Sequence, residues 1–103
     1  MSADQTADDA AAQVLDELAQ ARERLLAASP VAVVVNHAIG LYEFAALHLG
    51  SSPPDLASAV LAIDGFACLV EGLRGRLGEN EPTLRDALAN IRLAFVQIKA
   101  SGG

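Results

Sequence analysis

The segment 30-PVAVVVNHAIGLYEFAALHL-49 is the longest mostly apolar run of this chain and the strongest indication of its fold. Its first residues are mostly β-branched, so a buried strand is the rival interpretation for that part. The apolar residues continue to Leu49, however, which is far beyond the usual length of a strand. Ser29 is a favoured N-cap, Pro30 suits the first helical position, and Gly50 stands where a C-terminal cap belongs. The sequence therefore predicts a helix from about 30 to 49.

Three further segments repeat apolar residues at alternating spacings of three and four, the seam of an amphipathic helix. The seams are Ala11, Val14, Leu18, Ala21, Leu25 and Ala28 in the first helix, Ala59, Ile63, Phe66, Val70, Leu73 and Leu77 in the third, and Leu84, Leu88, Ile91, Phe95 and Ile98 in the fourth. Ser52 and Asn80 are the predicted N-caps of the third and fourth helices, and Gly78 is the predicted end of the third. We expect the first helix to be the least stable, because small residues fill half of its seam.

Short loops between four helices favour antiparallel neighbours. The predicted fold is therefore all-α, as a four-helix up-and-down bundle or as helical hairpins. Residues 10–100 are predicted to form a single helical domain, after a disordered acidic tail over residues 1–9 and before a flexible end over 101–103. The chain has 103 residues, of which 52% are hydrophobic and 19% charged, so it is long and apolar enough to bury a core.

The segment 30–49 is apolar on nearly all sides, so part of its surface would face water in a monomeric bundle. Self-association covers such a surface, and a two-fold dimer is the commonest way to achieve it. We therefore expect a homodimer. The residues predicted at its interface are Val34, Leu41, Phe44, Leu47 and Phe66.

Charge and cysteine content narrow the compartment and the class of partner. Thirteen acidic residues against seven basic ones give a net charge of -6, so the chain as a whole repels nucleic-acid backbones and anionic lipids, and we expect no DNA partner. Cys68 is the single cysteine, which excludes an intrachain disulfide. The N-terminus lacks the positive charge of a signal peptide, and polar residues interrupt 30–49 as a membrane span. These features predict a cytoplasmic protein outside the membrane.

A basic stripe runs along the predicted fourth helix. Arg85, Arg92 and Lys99 repeat every seven residues, and five of the seven basic residues of the chain follow residue 73. The solvated face of an amphipathic helix accounts for such a stripe, and an acidic or RNA-bearing partner is the alternative. Asp64 and Glu71 are also seven residues apart, on the third helix, and their spacing allows them to meet the stripe across a helix pair, within or between subunits.

Three other features have simple structural explanations. His37 and His48 stand about 16 Å apart along a helix, too far to hold one metal ion. Cys68 is expected to be a small packed side chain and not a nucleophile. The segment 72-GLRGRLG-78 resembles the Gly-x-x-Gly clamp of KH domains, but the chain offers none of the strands of that fold, so we expect a fraying helix end. We predict no catalytic residue, no metal and no cofactor.

Several short runs of the sequence match a known pattern in their order and spacing. The runs are Pro30-Val31-Ala32-Val33, Leu41 with Ala45, Leu49-Gly50, Asp55-Leu56-Ala57 to Ile63-Asp64, and Leu84-Arg85-Asp86-Ala87-Leu88 leading to Leu93-Ala94-Phe95. In this respect the chain resembles a bacterial family of small uncharacterised helical proteins, the domain of unknown function eighteen-forty-four, in its actinobacterial branch. It departs from the branch pattern at Ile91-Arg92, where Leu-Gln is more typical. The resemblance implies a helical, dimeric protein and brings no established activity.

The function predicted from these features is that of a homodimeric interaction or accessory protein without catalysis. Its partners would be a second copy of itself and an unidentified protein or ribonucleoprotein. The alternative is an RNA- or ribosome-associated accessory protein that uses the basic stripe. An enzyme or small-ligand binder with a site in the bundle core is a third hypothesis.

Overall fold

The structure is a computed structural model that describes residues 3–102. In that range it contains four α-helices and no strand, which confirms the all-α class. The helices are α1 (Ala3–Ala27), α2 (Pro30–Leu49), α3 (Leu56–Gly72) and α4 (Glu81–Ala100), and a short 3-10 helix (Gly78–Asn80) precedes α4. Residues 1 and 2 of the predicted tail and residue 103 of the predicted flexible end lie outside the described residues.

Helix α1 begins at Ala3, well before the predicted start near residue 10. The segment predicted as a disordered tail is therefore helical over its described part. Residues 3–12 contain neither Gly nor Pro and include five Ala, which has the highest helix propensity. Asp4 lies in the first turn, where a negative charge is favourable next to the helix dipole.

Helix α2 has the caps that the sequence predicts. The Ser29 hydroxyl accepts a hydrogen bond from the Ala32 N–H at 3.3 Å, and Pro30 occupies the first turn. At the other end, the Gly50 N–H donates to the Ala46 carbonyl at 3.0 Å. Among the described residues, α2 is also the one helix that is long and apolar enough to cross a membrane, a test that core helices of soluble proteins pass as well.

Helix α3 begins later than predicted. Its N-cap is Asp55, whose carboxylate accepts the Ser58 N–H at 3.0 Å, and not Ser52. Two prolines follow Ser52, and a residue that precedes proline is disfavoured in the helical conformation. The helix therefore starts only after Pro54.

The end of α3 and the start of α4 also differ from the prediction. Helix α3 ends at Gly72, and the chain turns through Gly75 and Gly78, whose φ angles are +81° and +68°. This left-handed conformation favours glycine, which explains the two glycines of the turn. Asn80 makes no side-chain cap, because its backbone is already helical as part of the 3-10 helix and an N-cap needs an extended one.

Helices α2, α3 and α4 enclose one hydrophobic core. Its largest fully buried side chains are Phe66, Leu77 and Val70. Ala38 and Ala45 of α2 and Ala59 of α3 have no exposed surface at all. Their side chains are small, so the two helices approach each other closely. The core also contains Val35, Leu49, Ala62, Ile63, Ala67, Leu84, Leu88 and Ile91.

Helix α1 takes no part in this core. Of its residues from Asp4 to Ala27, all except Ala21 are exposed. The molecule is 68 Å long, and its Cα radius of gyration is 20.5 Å, against about 13 Å for a compact domain of 100 residues. Within one chain the packed unit therefore has three helices and not the four of the predicted bundle, because the Ala-rich seam of α1 has little area to bury.

Candidate interaction surfaces

Four of the five side chains predicted at a dimer interface reach the surface. Phe44 and Leu47 are 50% and 72% exposed. Val34 and Leu41 are half-buried and pack against the edge of the core. The four residues are therefore accessible to a partner to different degrees.

The placement of Phe66 at the interface is wrong. Phe66 is completely buried on α3, and its ring meets the edge of the Tyr42 ring at a centroid distance of 5.7 Å. Because no part of its side chain reaches the surface, Phe66 stabilises the core of a single chain. Its position in the α3 seam between Ile63 and Val70 was the signal for this role.

An apolar patch joins α2 to α3. We call the surface formed by Leu41, Phe44, Leu47 and Leu61 the α2–α3 patch. Leu61 is 74% exposed, and together with Leu41 and Phe44 it lines a depression of about 430 Å³. Sequence analysis missed Leu61, although a leucine outside the α3 seam was an available signal for an outward-facing apolar side chain.

Helix α1 presents a second apolar surface. Its large apolar side chains are all more than half exposed; they are Val14, Leu15, Leu18, Leu25 and Leu26. The helix also carries six acidic and two basic side chains, for a net charge of -4. It is therefore an acidic amphipathic helix whose apolar side the other described helices leave uncovered.

The basic stripe lies along the exposed side of α4, but two of its three charges are compensated within the chain. Arg85 forms an ion pair with Glu81 on the same helix. Arg92 reaches across to α3, where its Nη2 lies 3.2 Å from Glu71 Oε1. The hydrogen bonds and the positive charge of Arg92 lower the pKa of Glu71. Lys99 is exposed and makes no ion pair within residues 3–102.

The expected contact between α3 carboxylates and the stripe is thus confirmed for Glu71 and not for Asp64. Asp64 makes no ion pair in the part of the chain that the structure describes. It does line the same depression as Arg92. Glu71 lies two helical turns beyond Asp64, where α3 and α4 bring opposite charges within hydrogen-bond distance.

A groove with an apolar floor and a basic edge runs between α3 and α4. It consists of two depressions, of about 160 and 310 Å³, that share Arg92 as a lining residue. We call it the α3–α4 groove. Its lining comprises Val60, Ile63, Asp64, Val70, Glu71, Arg74, Arg85, Leu88, Ala89, Arg92, Phe95 and Val96.

The glycine turn between α3 and α4 binds an anion that belongs to the chain itself. Glu81 is buried, and its Oε1 accepts hydrogen bonds from the backbone N–H groups of Gly75 and Leu77 at 2.8 and 3.2 Å. These N–H groups are the ones that a phosphate-binding loop would offer to its ligand. Sequence analysis missed Glu81; the four-residue spacing to Arg85 was the available signal.

The two histidines do not form a site. His37 is exposed, while His48 Nδ1 lies 3.8 Å from Asp55 Oδ2 and its ring contacts the ring of Phe44. Within the described residues, no group of three or more His, Cys, Asp or Glu side chains is arranged to hold a metal ion.

The expectation that Cys68 packs inside the protein is wrong. Its side chain is exposed. Seven residues separate it from Leu61, which places both on the outward side of α3, away from the seam that faces the core. The helical position of Cys68 relative to Phe66 and Val70 already separated it from the seam.

A smaller depression lies between α2 and α4. It has a volume of about 240 Å³ and is lined by Val35, Asn36, Ile39, Tyr42, Phe66, Asn80, Thr83, Leu84 and Ala87. Ligand pockets usually measure about 300–1,000 Å³. This depression is therefore small for a ligand or substrate site, and it brings together no carboxylate, imidazole or thiol.

No family model, no curated protein and no solved structure matches this chain. The resemblance to the domain of unknown function eighteen-forty-four stays a prediction.

Proposed function

We propose that this protein is a small cytoplasmic interaction protein that works as a homodimer and acts through its surfaces without catalysing a reaction. The observation that supports this proposal is the α2–α3 patch. Three of its side chains, Phe44, Leu47 and Leu61, are at least half exposed and lie on two helices that pack together. Monomeric proteins rarely expose contiguous apolar patches larger than about a few hundred Å².

A second copy of the chain is a suitable occupant of this patch. In a two-fold dimer the same surface meets itself, so the surface must be complementary to its own copy. The four side chains of the α2–α3 patch carry no charge, and two such patches meet without like-charge repulsion. Val34, the remaining predicted interface residue, lies at the start of α2 and widens the contact.

The mass of the particle in solution tests the homodimer. We expect sedimentation or light scattering at micromolar concentrations to give a mass near twice the 10.6 kDa of one chain. A particle of one chain mass across this range would contradict the proposal.

Substitutions on α2 test the position of the interface. We expect Phe44→Glu combined with Leu47→Glu to raise the dissociation constant of the dimer by roughly tenfold or more, because two charges would be buried in an apolar contact. The matched control is Ile39→Glu, which introduces a charge at an exposed position on another side of α2. Equal effects of the two variants would place the interface elsewhere.

The alternative proposal is an RNA- or ribosome-associated accessory protein that uses Arg85, Arg92 and Lys99. The observation in its favour is that Arg74 joins Arg85 and Arg92 in one depression of an otherwise acidic chain. Its weakness is that two of these charges are already paired with Glu81 and Glu71. Co-sedimentation with ribosomes should then weaken with salt, and charge reversal of the stripe that left binding unchanged would remove this alternative.

A further inference from the structure

We propose that the α3–α4 groove is the docking site of helix α1 from a second copy of this chain, so that two chains complete each other's helical bundles. This inference rests on the proposed homodimer and adds a specific pair of surfaces to it. It assigns a role to three features that a single chain leaves unused: the exposed seam of α1, the groove, and the positive charges of Arg74 and Lys99, which make no ion pair within the described residues.

Helix α1 has the properties of an unpaired bundle helix. Most of the stability of a helix in a protein comes from packing an apolar face, and the apolar side of α1 stays exposed among the described residues of its own chain. Its 25 residues span about 37 Å, while the 20 residues of α4 span about 30 Å. Helix α1 is therefore long enough to cover the whole groove.

The groove has the form that an amphipathic helix requires. One side of α4 carries residues at alternating spacings of four and three, namely Arg85, Ala89, Arg92, Val96 and Lys99. The small apolar side chains of Ala89 and Val96 therefore lie between the charges of the basic stripe. Val96 is largely exposed there, and Val60 of α3 stands on the opposite edge. A helix that lays apolar residues on this floor brings its flanking polar residues to the two edges.

Charge complementarity identifies the occupant. Arg74 and Lys99 make no ion pair within the described residues. Arg74 lines one depression of the groove, and Lys99 lies about one helical turn beyond Val96, which lines the other. The α3 edge carries Glu71, which Arg92 compensates, and Asp64, which remains available for one of the two arginines of α1. With its net charge of -4 and carboxylates along its whole length, α1 offers negative charge to Arg74 and Lys99, while Arg85 and Arg92 already have partners in Glu81 and Glu71.

The connection between α1 and α2 explains why the occupant comes from a second copy. Only residues 28 and 29 separate the two helices, and a link of this length can fold a helix back only onto its direct neighbour, which is α2. The α3–α4 groove is lined by α3, α4 and the turn between them, without any residue of α2. A second molecule can reach the groove, whereas the chain's own α1 cannot.

The groove and the α2–α3 patch are compatible with one dimer. Val60 lines the groove and Leu61 belongs to the patch, and these consecutive residues both lie on the exposed side of α3. The inference requires a two-fold arrangement in which contact between the patches leaves each groove in reach of the partner's projecting helix.

The single lysine of the chain allows a direct test on the full-length protein. A water-soluble carbodiimide joins amines to carboxylates that touch, and Lys99 is the only side-chain amine available. We expect a product of two chain masses on a denaturing gel, in which mass spectrometry finds Lys99 joined to a carboxylate of α1. Acidic residues occur from Asp4 to Glu23, so either direction of the docked helix places one near Lys99.

Two variants serve as controls. Lys99→Arg keeps the charge and removes the amine, so the cross-link should vanish while the dimer remains. Lys99→Glu should raise the dimer dissociation constant roughly fivefold, because it places an acid against an acidic helix. Arg76→Glu makes the same change of charge outside the groove and should leave the dissociation constant unchanged.

The outcomes separate this inference from the homodimer itself. In a mixture of isotope-labelled and unlabelled chains, docking between copies gives cross-linked peptides of mixed mass. A dimer without a link from Lys99 to α1, or links confined to chains of one label, would overturn the docking and leave the homodimer intact. A protein that stays monomeric would overturn both.

Discussion

Glu81 shows how a single side chain shapes a whole turn. Burial disfavours its charged form, but hydrogen bonds from the Leu77 N–H, from the Arg85 guanidinium and from the Gly75 N–H more than offset burial and lower the pKa of Glu81. The carboxylate thereby connects the start of α4 to the turn that follows α3. The backbone N–H groups of Gly75 and Leu77, in the segment that resembles a phosphate-binding loop in the sequence, therefore have their hydrogen-bond acceptor within the chain.

This arrangement predicts a pH dependence. A carboxyl group whose pKa is lower in the folded than in the unfolded protein stabilises the fold above its unfolded value, and this contribution is lost as the pH falls through the folded pKa. We expect the melting temperature to drop below about pH 4. The Glu81→Gln variant should have a lower melting temperature than the wild type at pH 7. Its melting temperature should also decrease less on acidification, as measured by circular dichroism.

Asp86→Asn is the matched control, because Asp86 is exposed on the same helix and makes no ion pair within the described residues. It should follow the wild-type curve. Parallel acid curves for the wild type and the Glu81 variant would show that Glu81 contributes no stability through its charge.

Substitutions of Phe66 test whether this residue belongs to the core of one chain and not to the predicted dimer interface. We expect Phe66→Ala to lower the free energy of unfolding by about 3–5 kcal/mol, because it leaves a large cavity between α2 and α3. Phe66→Leu should cost less than half of this, since it refills most of the volume. Urea denaturation measures both, and a loss of less than about 1 kcal/mol for the alanine variant would contradict the buried position.

The helices themselves illustrate what local patterns can specify. Periodic apolar residues correctly predict α1, α3 and α4, and the length of the apolar run correctly predicts α2, whose ends Ser29, Pro30 and Gly50 mark. The seam of α1 has the same spacing as that of α3, yet one is exposed and the other buried. A seam indicates a helix with an apolar side and does not identify the surface that covers it.

The N-cap of α2 should contribute measurably to stability. Ser29→Ala removes the acceptor for the Ala32 N–H, and we expect the free energy of unfolding to fall by about 1 kcal/mol. Ser29→Asp retains an acceptor and should restore most of this loss. Identical urea midpoints for the wild type and the alanine variant would show that the hydrogen bond adds nothing.

The whole molecule consists of a three-helix unit and a projecting acidic helix. The net charge is unevenly distributed between these two parts, because α1 alone carries -4 of the net charge of -6. An assembly of two chains would bring the acidic helices next to basic edges and cover apolar surface at the same time. The extended form of one chain is thus suited to exchange of helices between copies.

Cys68 offers a probe of this assembly. Because it lies on the same outward side of α3 as Leu61, contact between two α2–α3 patches should restrict its access to reagents. We expect a thiol reagent to label Cys68 rapidly in dilute native protein and more slowly as the concentration rises through the dimer dissociation constant.

The variant that combines Phe44→Glu with Leu47→Glu supplies the control for this measurement. Its labelling rate should not depend on concentration, since the patch no longer associates. A wild-type rate that is equally independent of concentration would show that the outward side of α3 stays uncovered.

The predicted surface was only partly accessible to sequence reasoning. The seven-residue spacing of Glu71 and Asp64 predicted a contact with the basic stripe, and the structure shows it for Glu71, with Arg92 as the partner. Glu81, Leu61 and Cys68 were missed or misplaced, because their surroundings depend on the rotation of α3 and on the path of the turn. Helical periodicity specifies neither the rotation of α3 about its axis nor the path of the turn.

Local sequence was sufficient to predict the helical class, the four helical segments and the ends of α2, because hydrogen bonding, capping and apolar period act between residues that are close along the chain. The burial of Phe66 in the core, the contact of Glu81 with the glycine turn and the projection of α1 from a three-helix unit became visible in the folded molecule. These outcomes depend on how much area each seam buries and on which long-range contacts compete for it. Helix α1 is exposed because half of its seam consists of small residues, which bury less apolar area than the seams of the other helices.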